Sequence, residues 1–118
     1  MTGASRGSPD AHFRAAEALS LLEAARAKRF IELFKHGSLT VEYYAPRGTD
    51  PQTPHSRDEL YVIVSGRGVF WNGSVRAPFG EGDLLFVAAG VSHRFEEFSD
   101  DFGAWVMFYG PEGGERAS

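Results

Sequence analysis

The pattern of hydrophobic positions changes its period once along the chain. Near the start, apolar residues recur every three positions, at Phe13, Ala16, Leu19, Leu22 and Ala25. This spacing predicts an amphipathic helix over residues 12–27. From residue 30 onward apolar and polar side chains alternate in short runs, which is the period of a half-buried strand. The strand-like runs cover residues 30–34, 39–44, 59–65, 69–72, 84–87, 93–98 and 103–109.

Turns that contain glycine separate these runs, at residues 36–37, 72–73 and 80–83. About eight short strands joined by such turns predict an all-β sandwich or small barrel that follows the helix. Both ends of the chain are rich in glycine and small or polar residues. We therefore expect a disordered N-terminus over residues 1–10, a single domain over 11–110 and a flexible C-terminal tail over 111–118.

The composition narrows the possible function classes. The chain has 118 residues, 42% of them hydrophobic, and a formal net charge of -4 at pH 7. The excess of acidic residues argues against a nucleic-acid partner. The chain also has no cluster of basic residues that would bind an anionic membrane. No apolar run approaches the roughly 18 residues of a membrane helix, so a cytoplasmic location is expected. Cysteine is absent, which excludes disulfides, thiolate nucleophiles and cysteine-bound metals.

Two segments carry the candidate chemistry. In the first, His55 and Glu59 are four residues apart, so on an extended segment they share one face with Tyr61. In the second, His93 and Glu97 share a face with Phe95, and that apolar residue marks the face as interior. Imidazoles and carboxylates that point into a barrel require an explanation, because a buried charge is costly unless it is paired or bound to metal.

These segments resemble the two sequence motifs of the cupin superfamily. His55, Glu59 and Gly66 match the second histidine, the glutamate and the closing glycine of the first motif. Gly82, Gly90 and His93 match the second motif at the expected spacing. The resemblance implies a small single-domain cupin, which is a double-stranded β-helix, or jelly-roll, barrel. Two departures concern the site: Thr53 stands at the usual first histidine, and Glu97 stands at the usual closing asparagine.

The resemblance also implies a site and its ligands. His55, Glu59 and His93 would hold one divalent transition metal, either Fe, Mn, Ni or Zn. Glu97 is a candidate for a fourth ligand, an orienting group or a general base, and Glu97 or Tyr61 would transfer a proton. Thr53 is expected to point into the barrel, since it is two residues before His55. The alternative is a hydrogen-bonded network that is purely structural and contains no metal.

Two functions follow from this site. The first is a metal-dependent cupin with a small-molecule site, either a dioxygenase or another metal-dependent enzyme such as an isomerase or lyase. The second is a non-catalytic module that binds or senses a small organic molecule; the absent third histidine favours it. We also predict a homodimer, because the hairpin over residues 30–44 would otherwise leave an open barrel edge.

Overall fold

Strands dominate the computed structural model, which describes residues 12–25, 29–50 and 52–116. Within these residues one helix precedes eight strands. They are α1 (Ala15–Ala24), β1 (Phe30–His36), β2 (Leu39–Tyr44), β3 (Asp58–Ser65), β4 (Arg67–Asn72), β5 (Val75–Gly80), β6 (Leu84–Val87), β7 (His93–Glu96) and β8 (Gly103–Tyr109). The predicted N-terminal disorder concerns residues that lie outside the described ranges.

Two antiparallel sheets enclose the interior. The larger sheet has the order β1-β2-β8-β3-β6, and the smaller one has the order β5-β4-β7. Because β8 separates β2 from β3, strands that are distant in sequence lie side by side, as in a jelly roll. The prediction of an all-β jelly-roll barrel with one N-terminal helix is confirmed.

Aromatic rings fill the space between the two sheets. Phe95 on β7 lies at their centre, with ring centroids 4.6 Å from Phe102, 4.7 Å from Phe70 and 5.0 Å from Tyr61. Tilted and edge-to-face pairs of this kind stabilise beyond the burial of their area alone. The packed rings give β3 and β7 fixed positions relative to each other, and these strands carry the predicted metal ligands Glu59 and His93.

The helix is shorter than the sequence predicts. It begins at Ala15, because Arg14 has an extended backbone and no side chain caps the first turn. His12 therefore precedes the helix, and residues 26–28 lie outside the described ranges. Ala18 and Leu22 pack with Ile31 of β1 in a second cluster on the outside of the larger sheet. Among the described residues, no helix is long and apolar enough to cross a membrane.

Several strand boundaries differ from the prediction, including those of β1, which extends to His36, and β3, which begins at Asp58. Strand β7 ends at Glu96, because Glu97 adopts a left-handed backbone with φ of 51° and interrupts the ladder. Strand β4 begins two residues earlier than expected, at Arg67. Strand β5 had no predicted range of its own; Arg76 and Pro78 break the alternation there. Proline is tolerated because β5 is an edge strand.

Part of the predicted tail contacts the barrel. The backbone N–H of Gly113 donates to the carbonyl of Ser56 at 2.7 Å. The backbone N–H of Glu115 donates to Asp58 Oδ2 at 2.8 Å, and Asp58 is buried. These bonds attach residues 113–115 to the segment between His55 and Glu59 at the start of β3.

Candidate metal centre

The three predicted metal ligands lie together inside the barrel. His55 comes from the irregular segment before β3, Glu59 from β3 itself, and His93 from the start of β7 in the opposite sheet. One ligand atom of each lies within 4.8 Å of the others. His93 Nε2 is 3.1 Å from Glu59 Oε1, and His55 Nε2 is 4.0 Å from the same oxygen.

The cluster is closed on the side of the barrel core and open on the other. The side chains of His93 and Glu59 are 0% and 1% exposed, whereas that of His55 is 35% exposed. His55 therefore forms the boundary between the buried ligand pair and a cavity. A group bound at the cluster would be accessible from one direction only.

Glu59 is the most informative residue of the cluster. Both of its carboxylate oxygens are buried, and among the described residues neither has a hydrogen-bond partner. Its 3.1 Å approach to His93 Nε2 is an ion-pair distance without hydrogen-bond alignment. An unsatisfied buried carboxylate costs several kcal/mol in free energy unless a cation compensates it. The donor set thus fits a divalent metal ion.

The ring of His93 is also oriented to bind a metal ion beside Glu59. Its Nδ1 lies 2.9 Å from the Val91 carbonyl, which is the acceptor that fixes the proton on Nδ1 in a neutral imidazole. Nε2 then presents a lone pair towards Glu59. Burial lowers the pKa of His93, but Glu59 and the Val91 carbonyl raise it, and the net pKa lies above its ordinary value. For His55 burial prevails and the pKa is lowered.

Tyr61 reaches the cluster from β3. Its hydroxyl lies 3.2 Å from His93 Nε2 and donates to Gln52 Oε1 at 3.1 Å. Burial, followed by the charge of Glu59, raises the pKa of Tyr61 well above its ordinary value. The phenol therefore stays protonated near neutral pH and serves as a hydrogen-bond donor. Its role in proton transfer stays a prediction.

Two residues that the sequence reasoning missed complete the surroundings of the cluster. Gln52 Oε1 lies 3.1 Å from both His55 Nε2 and His93 Nε2. Gln52 Nε2 donates to Asp50 Oδ2 at 2.9 Å, and Asp50 is buried. The available signal was a pair of polar residues, Asp50 and Gln52, immediately before the first motif. Alternation counted back from His55 assigns both of them to the opposite face, so the pattern did not select them.

Thr53 and Glu97 lie outside the cluster, and the predicted inward direction of Glu97 is wrong. Residues 52–55 have no strand pairing, so alternation does not apply, and Thr53 is exposed at the cavity wall. Glu97 follows the end of β7 and is also exposed, in a shallow depression beside Thr49 and Arg94. The left-handed backbone at Glu97 rotates its side chain away from the face that His93 and Phe95 share.

A cavity of about 580 Å³ opens beside the cluster. Five of the ten residues that line it are aromatic or aliphatic, and the other five are charged or polar. The lining residues are Arg29, Phe30, Glu42, Tyr44, Gln52, Thr53, His55, Tyr61, Val106 and Phe108. Glu42 is notable because burial, and then the nearby carboxylates of Glu32 and Glu59, raise its pKa to about 7. A cleft that combines aromatic side chains with polar groups is typical of small-molecule sites.

The comparisons with known proteins agree with this fold and site. Residues 40–109 match the cupin domain family. An uncharacterized protein of Streptomyces coelicolor is 35% identical over 99 residues, which cover 80% of this chain and 94% of that protein.

Solved structures give the same result at the level of the fold. A cupin superfamily protein from Desulfitobacterium hafniense has a TM-score of 0.65 at 17% identity, over 89% of this chain and 96% of that one. A cupin 2 conserved barrel domain protein from Salinispora arenicola has a TM-score of 0.59 at 17% identity, over 75% and 85%. Since the family match spans more than half of the sequence and the folds agree, this chain belongs to the cupin domain family.

Proposed function

We propose that the protein is a metal-dependent cupin that binds a small organic molecule in its barrel cavity. His55, Glu59 and His93 would hold one divalent transition metal, either Fe, Mn, Ni or Zn. The observation that carries this proposal is the buried Glu59 carboxylate: its Oε1 lies beside two imidazole nitrogens, and neither oxygen has a hydrogen-bond partner among the residues that the structure describes. Two histidines and one carboxylate form a donor set typical of such ions and leave further positions open.

The proposed activity is metal-assisted, of the oxygenase, isomerase or lyase type. A bound divalent ion would polarise an oxygen ligand of the substrate. His55 would orient that ligand, since it separates the buried cluster from the cavity. The Tyr61 hydroxyl would donate a hydrogen bond to it, and the hydroxyl is already within 3.2 Å of His93 Nε2. The aromatic side chains of the cavity wall would contact the apolar part of the substrate.

The second candidate is a non-catalytic module that binds or senses a small molecule. The observation in its favour is Thr53 at the position of a family histidine, which leaves only two imidazoles in the cluster. In this case the ion would anchor the ligand and no turnover would follow. The same cavity and the same three ligands serve both candidates.

A thermal-shift screen separates these candidates. Metal-free protein is mixed with Fe, Mn, Ni or Zn, and then with small acids, sugars and phenolics, and each stabilising compound is assayed for conversion. A metal that raises Tm, with conversion of a stabilising compound, supports the enzyme. Stabilisation without conversion supports the binding module. No shift with any metal would contradict both.

We also propose that two copies of the chain pair as a homodimer. The outer face of the larger sheet carries an apolar row, Val41, Met107, Leu60 and Phe86, which are aligned across β2, β8, β3 and β6. The helix packs mainly against β1 and β2, at one end of the sheet. At the other end Leu84 and Phe86 are 65% and 48% exposed. An uncharged row of this kind favours a second copy of the same face.

A further inference from the structure

We infer that Gln52 supplies the fourth donor of the metal centre, through its side-chain oxygen, to the ion held by His55, Glu59 and His93. The inference rests on the proposed function. It concerns a residue one position away from Thr53, which occupies the place of the family histidine. Three observations support it: the direction of the amide, the spacing of the donors and the number of hydrogen bonds available.

The direction of the Gln52 amide is determined by its neighbour Asp50. Gln52 Nε2 donates to Asp50 Oδ2 at 2.9 Å. Asp50 is itself held by the hydroxyl of Tyr44 and by the backbone N–H of Phe95, the latter at 2.8 Å. Reversing the amide would place its oxygen against the Asp50 carboxylate, which cannot donate in its charged form. The oxygen therefore faces the cluster, and the nitrogen faces away from it.

The donor spacing is that of a shared coordination sphere. Gln52 Oε1 lies 3.1 Å from His55 Nε2 and 3.1 Å from His93 Nε2. Glu59 Oε1 lies 3.1 Å from His93 Nε2 as well. Two donors that each stand about 2.1 Å from one ion, at a right angle, are about 3 Å apart. Three of the donor pairs already have this separation.

Hydrogen bonding alone does not account for these contacts. A carbonyl oxygen has two lone pairs, yet His55 Nε2, His93 Nε2 and the Tyr61 hydroxyl all lie within 3.1 Å of Gln52 Oε1. A cation among these atoms would bind the oxygens of Gln52 and Glu59 and both imidazole nitrogens together.

An amide oxygen in place of an imidazole also changes which ion the site prefers. Carboxylate and carbonyl oxygens suit harder ions such as Mn(II), whereas imidazole suits Zn, Cu, Ni and Fe. With Gln52 the donor set has two nitrogens and two oxygens. We therefore expect Mn(II) to compete better here than in a site built from three histidines and one glutamate.

The test compares Mn(II) affinity, by competition with a chelator, in the wild-type protein and two variants. Gln52→Leu keeps the side-chain volume but removes the oxygen, and Asp50 retains Tyr44 and Phe95 as partners. Thr53→Ala is the matched control on the same cavity wall. We expect Gln52→Leu to weaken binding by at least about tenfold and Thr53→Ala to leave it unchanged. A Co(II)-loaded sample should also show more intense visible bands in Gln52→Leu, because coordination decreases.

The possible results distinguish a failure of the role of Gln52 from a failure of the proposed metal centre. Equal affinity and equal Co(II) spectra for wild-type and Gln52→Leu would overturn the role of Gln52 and leave the proposed metal centre intact. Absence of binding by the wild-type protein would overturn both. If Gln52→Leu does not fold, Gln52→Asn replaces it, since the shorter side chain keeps the amide but withdraws its oxygen by one carbon. The same weakening is expected, and unchanged affinity would overturn the inference.

Discussion

At the residue scale, Glu59 and Glu42 lie on the same inward-facing side of the larger sheet but in different surroundings. Glu59 is fully buried beside two imidazoles, and a bound cation would compensate its charge. Glu42 lies two strands away, in the same inward-facing row as Val106 and Tyr61. Burial, followed by the carboxylates of Glu32 and Glu59, raises the pKa of Glu42 to about 7, although the charge of Lys35 lowers it.

This difference predicts how stability depends on pH. The pKa of Glu42 rises from 4.5 to about 7 on folding, so the folded state binds the proton more tightly. Stability is therefore lost as pH rises from about 4.5 to 7. Glu42→Gln removes that loss. In metal-free protein its free energy of unfolding should equal that of wild-type near pH 4 and exceed it by about 1 to 3 kcal/mol near pH 8.

Urea unfolding over this pH range checks the prediction. Glu81→Gln is the matched control, because Glu81 is an exposed glutamate in the turn between β5 and β6. Its difference from wild-type should be small and nearly constant with pH. A constant difference for Glu42→Gln as well would show that Glu42 gains no proton on folding.

At the element scale, the sequence predicted the site wherever the backbone is a regular strand. In β3 the alternation correctly places Glu59, Tyr61 and Ile63 inside, because the ladder to β8 holds the pleat throughout most of its length. It fails for Glu97, which follows the end of a strand, and it does not apply to Thr53, which precedes β3 and is exposed at the cavity wall. At these two positions direction depends on local backbone angles, which a periodic pattern does not contain. Gln52 was missed for the same reason.

Glycine at one position in β4 permits the close approach of the strand that carries His93. A Cβ on Gly68 would lie 2.8 Å from the Phe98 Cα and 2.9 Å from the Glu96 carbonyl oxygen. Both are backbone atoms and cannot rotate away. Gly68→Ala should therefore lower the free energy of unfolding by about 1 to 3 kcal/mol, as overpacking typically does. Urea denaturation measures this change.

The matched control lies on the adjacent strand. A Cβ on Gly80 at the end of β5 would meet nothing within 4 Å. Gly80→Ala should be neutral or slightly stabilising, because alanine restricts the unfolded chain. Equal losses in the two variants would indicate a general intolerance of alanine in this hairpin, and the close approach at Gly68 would not be the cause.

At the scale of the whole molecule, the two faces of the larger sheet have different partners. The inner face packs on the smaller sheet, and the outer face has the helix at one end and a groove of about 540 Å³ next to it. The groove is lined by Phe13, Phe34, Leu39, Val41, Leu60, Trp105, Met107 and Tyr109. An apolar surface of this extent is typical of an interface.

The homodimer proposal predicts the mass in solution. Light scattering at micromolar concentration should give the mass of two chains for the wild-type protein and of one chain for Leu84→Lys, since a charge at this exposed apolar site would have to be desolvated. Val75→Lys is the control: Val75 is 61% exposed, but it belongs to the smaller sheet, and the variant should remain dimeric. A monomeric wild-type protein would contradict the proposal.

The central claim is that this barrel holds one divalent metal ion on His55, Glu59 and His93. Elemental analysis of protein purified without chelator, and again after chelation and reloading with Fe, Mn, Ni or Zn, tests it most directly. We predict close to one ion per chain for wild-type and for His36→Ala, which removes an exposed histidine at the end of β1. His93→Ala should retain almost none, because a single imidazole and a carboxylate bind these ions weakly. Wild-type protein that contains no metal and cannot be reloaded, or His93→Ala that binds as much as wild-type, would contradict the claim.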